Sequence, residues 1–94
     1  MKIRNIRHKG LWQVHHRNIP RALPGNAVEK LRKILFFLDG MESAEELTAL
    51  PKWKPHLLTG DRKGTWSLSV TRNWRITFRI EENEICDLNF EDYH

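Results

Sequence analysis

The residues best suited to chemistry stand together at the end of the chain. Asp92, Tyr93 and His94 supply a carboxylate, a phenol and an imidazole, three groups able to move or orient protons. Chain ends usually fray, so this dense ending is either idle or employed in proton transfer. His56 follows Pro55 at the start of a short apolar segment and reads equally as a partly buried structural residue or as a second titrating group. The five histidines, His8, His15, His16, His56 and His94, show no metal-ligand spacing, and the lone Cys86 excludes a Cys-rich zinc site or an internal disulfide. No phosphate-binding glycine loop and no nucleophile elbow is present.

Cations dominate the rest of the chain. All sixteen Lys and Arg lie in residues 1–80 with six acids, a formal +10, whereas residues 81–94 hold six acids and no Lys or Arg, a formal −6. The overall +4 therefore hides a basic body with an acidic tail. A basic body points to an anionic partner, most often nucleic acid, or else to a merely soluble surface.

The elements that must position these groups follow from periodicity. At 94 residues, with 39% hydrophobic and 30% charged, the chain supports one domain over residues 1–94 with one core. No apolar run spans a bilayer, and no apolar core follows the basic start, so a soluble cytoplasmic protein without a membrane partner is expected. Residues 2–7 fit a short edge strand, and residues 8–17 a short helix with Leu11 and either Trp12 or Val14 inward. Asn26 with Glu29 reads as a capping box for a helix carrying Val28, Leu31, Ile34, Leu35 and Leu38, stopped at Gly40. Ser43 with Glu46 repeats that signal for a short helical turn before Pro51.

From Trp53 onward the period becomes two. His56-Leu57-Leu58 reads as a short strand. Trp66, Leu68 and Val70, then Trp74, Ile76, Phe78 and Ile80, and finally Cys86, Leu88 and Phe90 lead three further strands. Glu81-Glu82-Asn83-Glu84 and Thr71-Arg72-Asn73 are the turns. The sum is an α+β domain: an N-terminal strand and two helices on a mostly antiparallel sheet of four to five strands. This phase places Trp66, Trp74, Phe78 and Phe90 in the core, with base stacking by Trp66 or Trp74 the alternative. It aims Arg75, Thr77 and Arg79 away from the core, as solvated groups or as a basic face for phosphate.

Three segments together resemble a family. His56-Leu57-Leu58-Thr59-Gly60-Asp61-Arg62-Lys63-Gly64-Thr65-Trp66-Ser67, Asn73-Trp74-Arg75-Ile76-Thr77-Phe78 and Glu91-Asp92-Tyr93-His94 are similar to HigB-type toxins, among the RelE-like toxins of bacterial toxin–antitoxin modules. The start, Arg7-His8-Lys9-Gly10-Leu11, resembles the family's opening, so the likeness covers nearly the whole chain. The resemblance implies a compact RelE-like fold and an endoribonuclease that cuts mRNA codons in the ribosomal A site. It implies no metal or other cofactor, and inhibition by a HigA-type helix-turn-helix antitoxin. DNA would be met only through that antitoxin, while ribosomal RNA of the small subunit and mRNA are met directly. The family's functional residues map to His56, Asp92, Tyr93 and His94 as catalytic groups and to Arg75 for RNA binding. Lys54, Arg62, Lys63 and Arg79 complete the expected RNA-binding set.

One position departs from the family. Many members read His-Pro-Leu-Lys-Gly-Asp, whereas here Leu57 replaces the proline and Thr59 the lysine. Lys54 or Lys63 then substitutes for that lysine, or the phosphate contact is missing. The competing reading of the whole chain is a non-catalytic basic RNA- or protein-binding module, which the +10 body alone would support.

Overall fold

The computed structural model describes residues 1–93. Strand β1 (Lys2–Ile3) leads to helix α1 (Lys9–Arg17) and, after a loop, to helix α2 (Val28–Gly40). Short 3-10 turns over Ala44–Ala49 and Pro51–Trp53 lead to β2 (His56–Leu57), and a third, Gly60–Arg62, precedes β3 (Trp66–Ser69). Strands β4 (Trp74–Glu81) and β5 (Glu84–Asp92) close the chain. The sheet order is β1-β5-β4-β3-β2, antiparallel throughout except for the parallel β1–β5 edge. The expected α+β architecture is present. No helix among the described residues is long and apolar enough to cross a membrane.

Apolar spacing explains the layers. Leu31, Ile34, Leu35 and Leu38 fall on one face of α2, and Leu11 and Val14 on one face of α1; all six are buried. They meet Leu68, Val70, Ile76, Phe78, Ile85, Leu88 and Phe90 from the sheet in a single core. Trp12 stays outside, with its ring against His16. Trp74 and Trp66 pack as partly buried rings on the core, Trp74 stacked on Phe90 at 4.7 Å, as the alternation predicts.

Local details depart from expectation at three places. Asn26 does not cap α2: residues 25–27 wind into a 3-10 turn, Ala27 N–H donates to the Pro24 carbonyl at 3.0 Å, and the helix begins two residues beyond Asn26. Glu29 is left to pair with Lys33 at 3.6 Å. The Ser43–Glu46 signal does hold, with Glu46 Oε2 accepting from Glu42 N (2.7 Å) and Ser43 N (2.9 Å), but the turn it opens is 3-10. The strand at His56 is two residues long and stops before Leu58.

The third departure is the phase of β5. Its pairing slips between Thr77–Asn89 and Arg79–Cys86, so β5 carries one extra residue there, and Asp87 adopts a left-handed φ of 54°. The bulge lets Ile85 and Leu88, three residues apart, both face the core. Cys86, expected in line with Leu88, instead sits opposite Arg79, buried but outside the main core cluster. Asn5 holds the bulge from β1's side, donating Nδ2 to Asp87 Oδ1 (3.0 Å) and accepting Asp87 N–H (2.9 Å).

Candidate active site

The two-residue turn Glu82-Asn83, both at positive φ, sets the β4–β5 register and thereby fixes what the outer face of the sheet displays. Cross-strand rows on that face run His56–Ser67–Thr77–Asn89 and Ser69–Arg75–Glu91. Tyr93 continues the second row beyond the end of β5, where its backbone N–H donates to the Asn73 carbonyl at 3.0 Å.

The expected basic face is largely neutralised from within. Arg62 grips Glu91 with two parallel bonds, Nη1 to Oε1 at 2.7 Å and Nη2 to Oε2 at 2.6 Å. Arg75 approaches the same carboxylate at 3.6 Å, and the Thr77 hydroxyl donates to it. Hydrogen bonds from Arg62, and further from Thr77, hold the Glu91 carboxyl down at about 2 against the burial that opposes them. Arg79 pairs with Glu81 and with Asp87, the latter at 3.0 Å. Carboxylates of the acidic tail thus serve the fold by occupying the sheet arginines.

Four cations without an ion pair gather elsewhere. A cleft of about 610 Å³ at the end of the sheet is lined by Lys30, Lys52, Lys54, His56, Ser69, Val70, Thr71, Arg72 and Tyr93. It contains four cations and no acid. Among the described residues, none of those four forms an ion pair, in contrast to Arg62, Arg75 and Arg79. Lys30 is half-buried, and desolvation together with the nearby Lys54 charge lowers its pKa.

Backbone geometry prepares His56. Lys54 ends the Pro51–Trp53 turn in a left-handed conformation (φ 47°), uncommon for a side chain of its size. Its carbonyl lies 3.0 Å from His56 Nδ1. A carbonyl only accepts, so Nδ1 carries the proton and the neutral ring presents a bare Nε2. The ring is exposed, on the edge strand β2.

Tyr93 is held from two sides. Its hydroxyl lies 2.5 Å from Ser69 Oγ, and the Arg75 guanidinium stands over its ring at 5.3 Å. The Arg75 side chain is only 17% exposed and does not line the cleft; it lies against Tyr93 and Glu91.

Of the expected site residues, His56, Lys54 and Tyr93 meet in the cleft. Arg62, Arg75 and Arg79 lie on the outer sheet face, and Lys63 is exposed in the loop before β3. Asp92 closes β5 beside Trp74 in register. His94 falls outside the described residues. Sequence pattern does not mark Lys30, Lys52 or Arg72 as site residues: Lys30 reads as part of the wet side of a helix, and Arg72 as a turn residue. No group of His, Cys, Asp and Glu able to hold a metal occurs among the described residues.

Comparison with known proteins bears on this geometry. Residues 4–94 match the family model for HigB-like toxin, described as the RelE-like toxin of the type II toxin–antitoxin system HigB. The chain is also 36% identical over 94 residues to Endoribonuclease HigB of Proteus vulgaris, covering 98% of this chain and 99% of that protein.

Proposed function

Since this chain belongs to the HigB family of RelE-like toxins of type II toxin–antitoxin systems, we propose that it is the endoribonuclease of such a module, cutting mRNA codons in the ribosomal A site. The observation that carries this reading is the meeting of His56, Tyr93 and four unpaired cations around one cleft.

RNA brings its own nucleophile, the 2′-hydroxyl, so cleavage requires three services from the protein. His56 Nε2 takes the 2′ proton as the 2′ oxygen attacks the adjacent phosphorus. Lys54 and Arg72 offset the charge that grows on the crowded phosphorane. An acid then protonates the 5′ oxygen as its bond to phosphorus breaks, leaving a 2′,3′-cyclic phosphate and a free 5′-hydroxyl. His94 is assigned that role, with Asp92 orienting a histidine or contacting the ribose. Tyr93 presents its ring to a base, and Arg75, fixed by Glu91, holds Tyr93 rather than the phosphate. These protein groups supply every proton and charge that the route requires, without a metal or other cofactor.

The ribosome enters as the partner that places and distorts the codon, so free RNA would be cut slowly. The paired toxin would work in the cytoplasm and be restrained by a helix-turn-helix antitoxin of HigA type, through which alone it would approach DNA. Expression in a bacterium separates this reading from a binding-only module. Wild type should arrest growth, and deletion of residues 92–94 should relieve the arrest. Arrest that persists with undiminished ribosome binding would favour the binding module.

A further inference from the structure

Lys30 is the wall between two hollows. On one side it lines the cleft with His56 and Tyr93; on the other it lines a second depression of about 280 Å³ with Asn26, Glu29, Lys33 and Trp53. The second hollow has no part in the cleavage chemistry. Its floor is an indole, half-buried, braced edge-on by Phe37 at 5.7 Å. Its rim carries Lys33, whose pair with Glu29 is solvent-exposed at 3.6 Å and therefore weak enough to exchange for a phosphate.

A rigid aromatic ring beside cations is the arrangement that binds single-stranded nucleic acid without sequence readout, the base stacking and the backbone tracking the charge. We infer that the hollow at Trp53 is a second nucleotide subsite, taking the base of a nucleotide that neighbours the cleaved pair, with Lys30 bridging to the intervening phosphate. The inference rests on the nuclease reading for the identity of the strand and shares Lys30 with its cleft, but that reading gives Trp53 and the second hollow no role. Phe37 restrains the ring, so little side-chain freedom is lost when a base stacks on it. Lys30 already lies between the hollows with a half-buried stem, and so is pre-positioned as Lys33, on the open rim, is not.

Binding of uncleavable RNA to the purified full chain tests this. The probes are 2′-deoxy-substituted oligonucleotides of two, three and four nucleotides, extended separately on the 5′ and 3′ sides. In wild type, one particular extension should tighten binding about fivefold to tenfold and shift the Trp53 indole N–H signal, identified by its loss in Trp53→Phe. In Lys30→Gln and in Trp53→Leu that increment should fall below about twofold, and Lys30→Arg should restore most of it. Lys30→Gln keeps the test valid should Trp53→Leu unfold. An equal increment in wild type and Lys30→Gln, an unmoved Trp53 signal, or no length-dependent binding at all would overturn the subsite. Cleavage of mRNA on programmed ribosomes, measured on the same wild-type preparation, reports separately. Its failure would sink the nuclease reading, whereas intact cleavage without the increment would sink only the subsite.

Discussion

Arg62 and Glu91, twenty-nine residues apart, form a two-pronged ion pair with both N···O distances at or below 2.7 Å. The loop after β2 is thereby tied to the last strand, and Glu91 in turn touches Arg75, which supports the Tyr93 ring. The pair links the fold to the candidate site.

Acid should loosen this tie. Glu91 titrates at about 2 in the folded chain and near 4.5 when unfolded. Its contribution is complete above pH 4.5 and is lost as pH falls from 4.5 towards 2, because the unfolded chain binds the proton first. With the Glu91 side chain 18% exposed and that of Arg62 43%, solvent screening cuts the contribution to roughly 2 kcal/mol. Urea midpoints measured from pH 6 to pH 2 should show that slope in wild type and a flatter one in Glu91→Gln.

A second pH dependence belongs to His8. Its Nδ1 accepts the Leu11 N–H at 3.1 Å, capping α1, and burial lowers its pKa below the usual 6.5. Capping requires the bare nitrogen, so the neutral form is the native one. Stability is then complete above pH 6.5 and declines as pH falls from there towards the lowered folded value. His8→Asn, which retains a capping oxygen, should remove this part of the decline in melting temperatures taken from pH 7.5 to 5.5.

Loss of the base should be a chemical defect rather than a folding one. His56 is exposed, and its ring makes a local bond to the Lys54 carbonyl, so His56→Ala should leave the melting temperature nearly unchanged. Cleavage on programmed ribosomes should drop roughly 10²- to 10⁴-fold, the range for a positioned general base. Wild-type rates in His56→Ala would remove it from the mechanism.

The Thr59 departure should matter little. Thr59 is exposed in the loop after β2, while Lys54 and Arg72 already face the cleft. Thr59→Lys should therefore change the cleavage rate less than about threefold. Lys54→Ala should lower it tenfold or more, as removal of a charge-stabilising donor does. The opposite ordering would return the phosphate contact to position 59.

Arg75 should behave as a support for Tyr93. Arg75→Lys keeps the charge but loses the planar group that lies against the ring. Single-turnover cleavage should slow about tenfold while ribosome affinity changes little. Equal loss in ribosome affinity would mean that Arg75 contacts RNA directly.

Much of this was legible in the sequence because it depends on local pattern. The 3.6-residue spacing of Leu31, Ile34, Leu35 and Leu38 commits them to one helix face. The alternation through Trp74, Ile76 and Phe78 commits Arg75 and Thr77 to the other side of the sheet. The segment from His56, the Asn73-Trp74-Arg75 segment and the Glu91-Asp92-Tyr93-His94 ending together marked the family. Pattern failed where neighbours in space decided. The Asp87 bulge, held by Asn5 from the far end of the chain, reset the phase of β5, and no spacing within β5 announces it.

Charge shows the same division most clearly. Residue types alone determined that a +10 body is joined to a −6 tail, and therefore that an anion could bind somewhere. Only the tertiary structure decided which cations remain available for it. Pairing acts over a few ångströms between residues far apart in sequence, so Glu91, Asp87 and Glu81 occupy the sheet arginines. Lys30, Lys52, Lys54 and Arg72 are left facing the cleft beside His56.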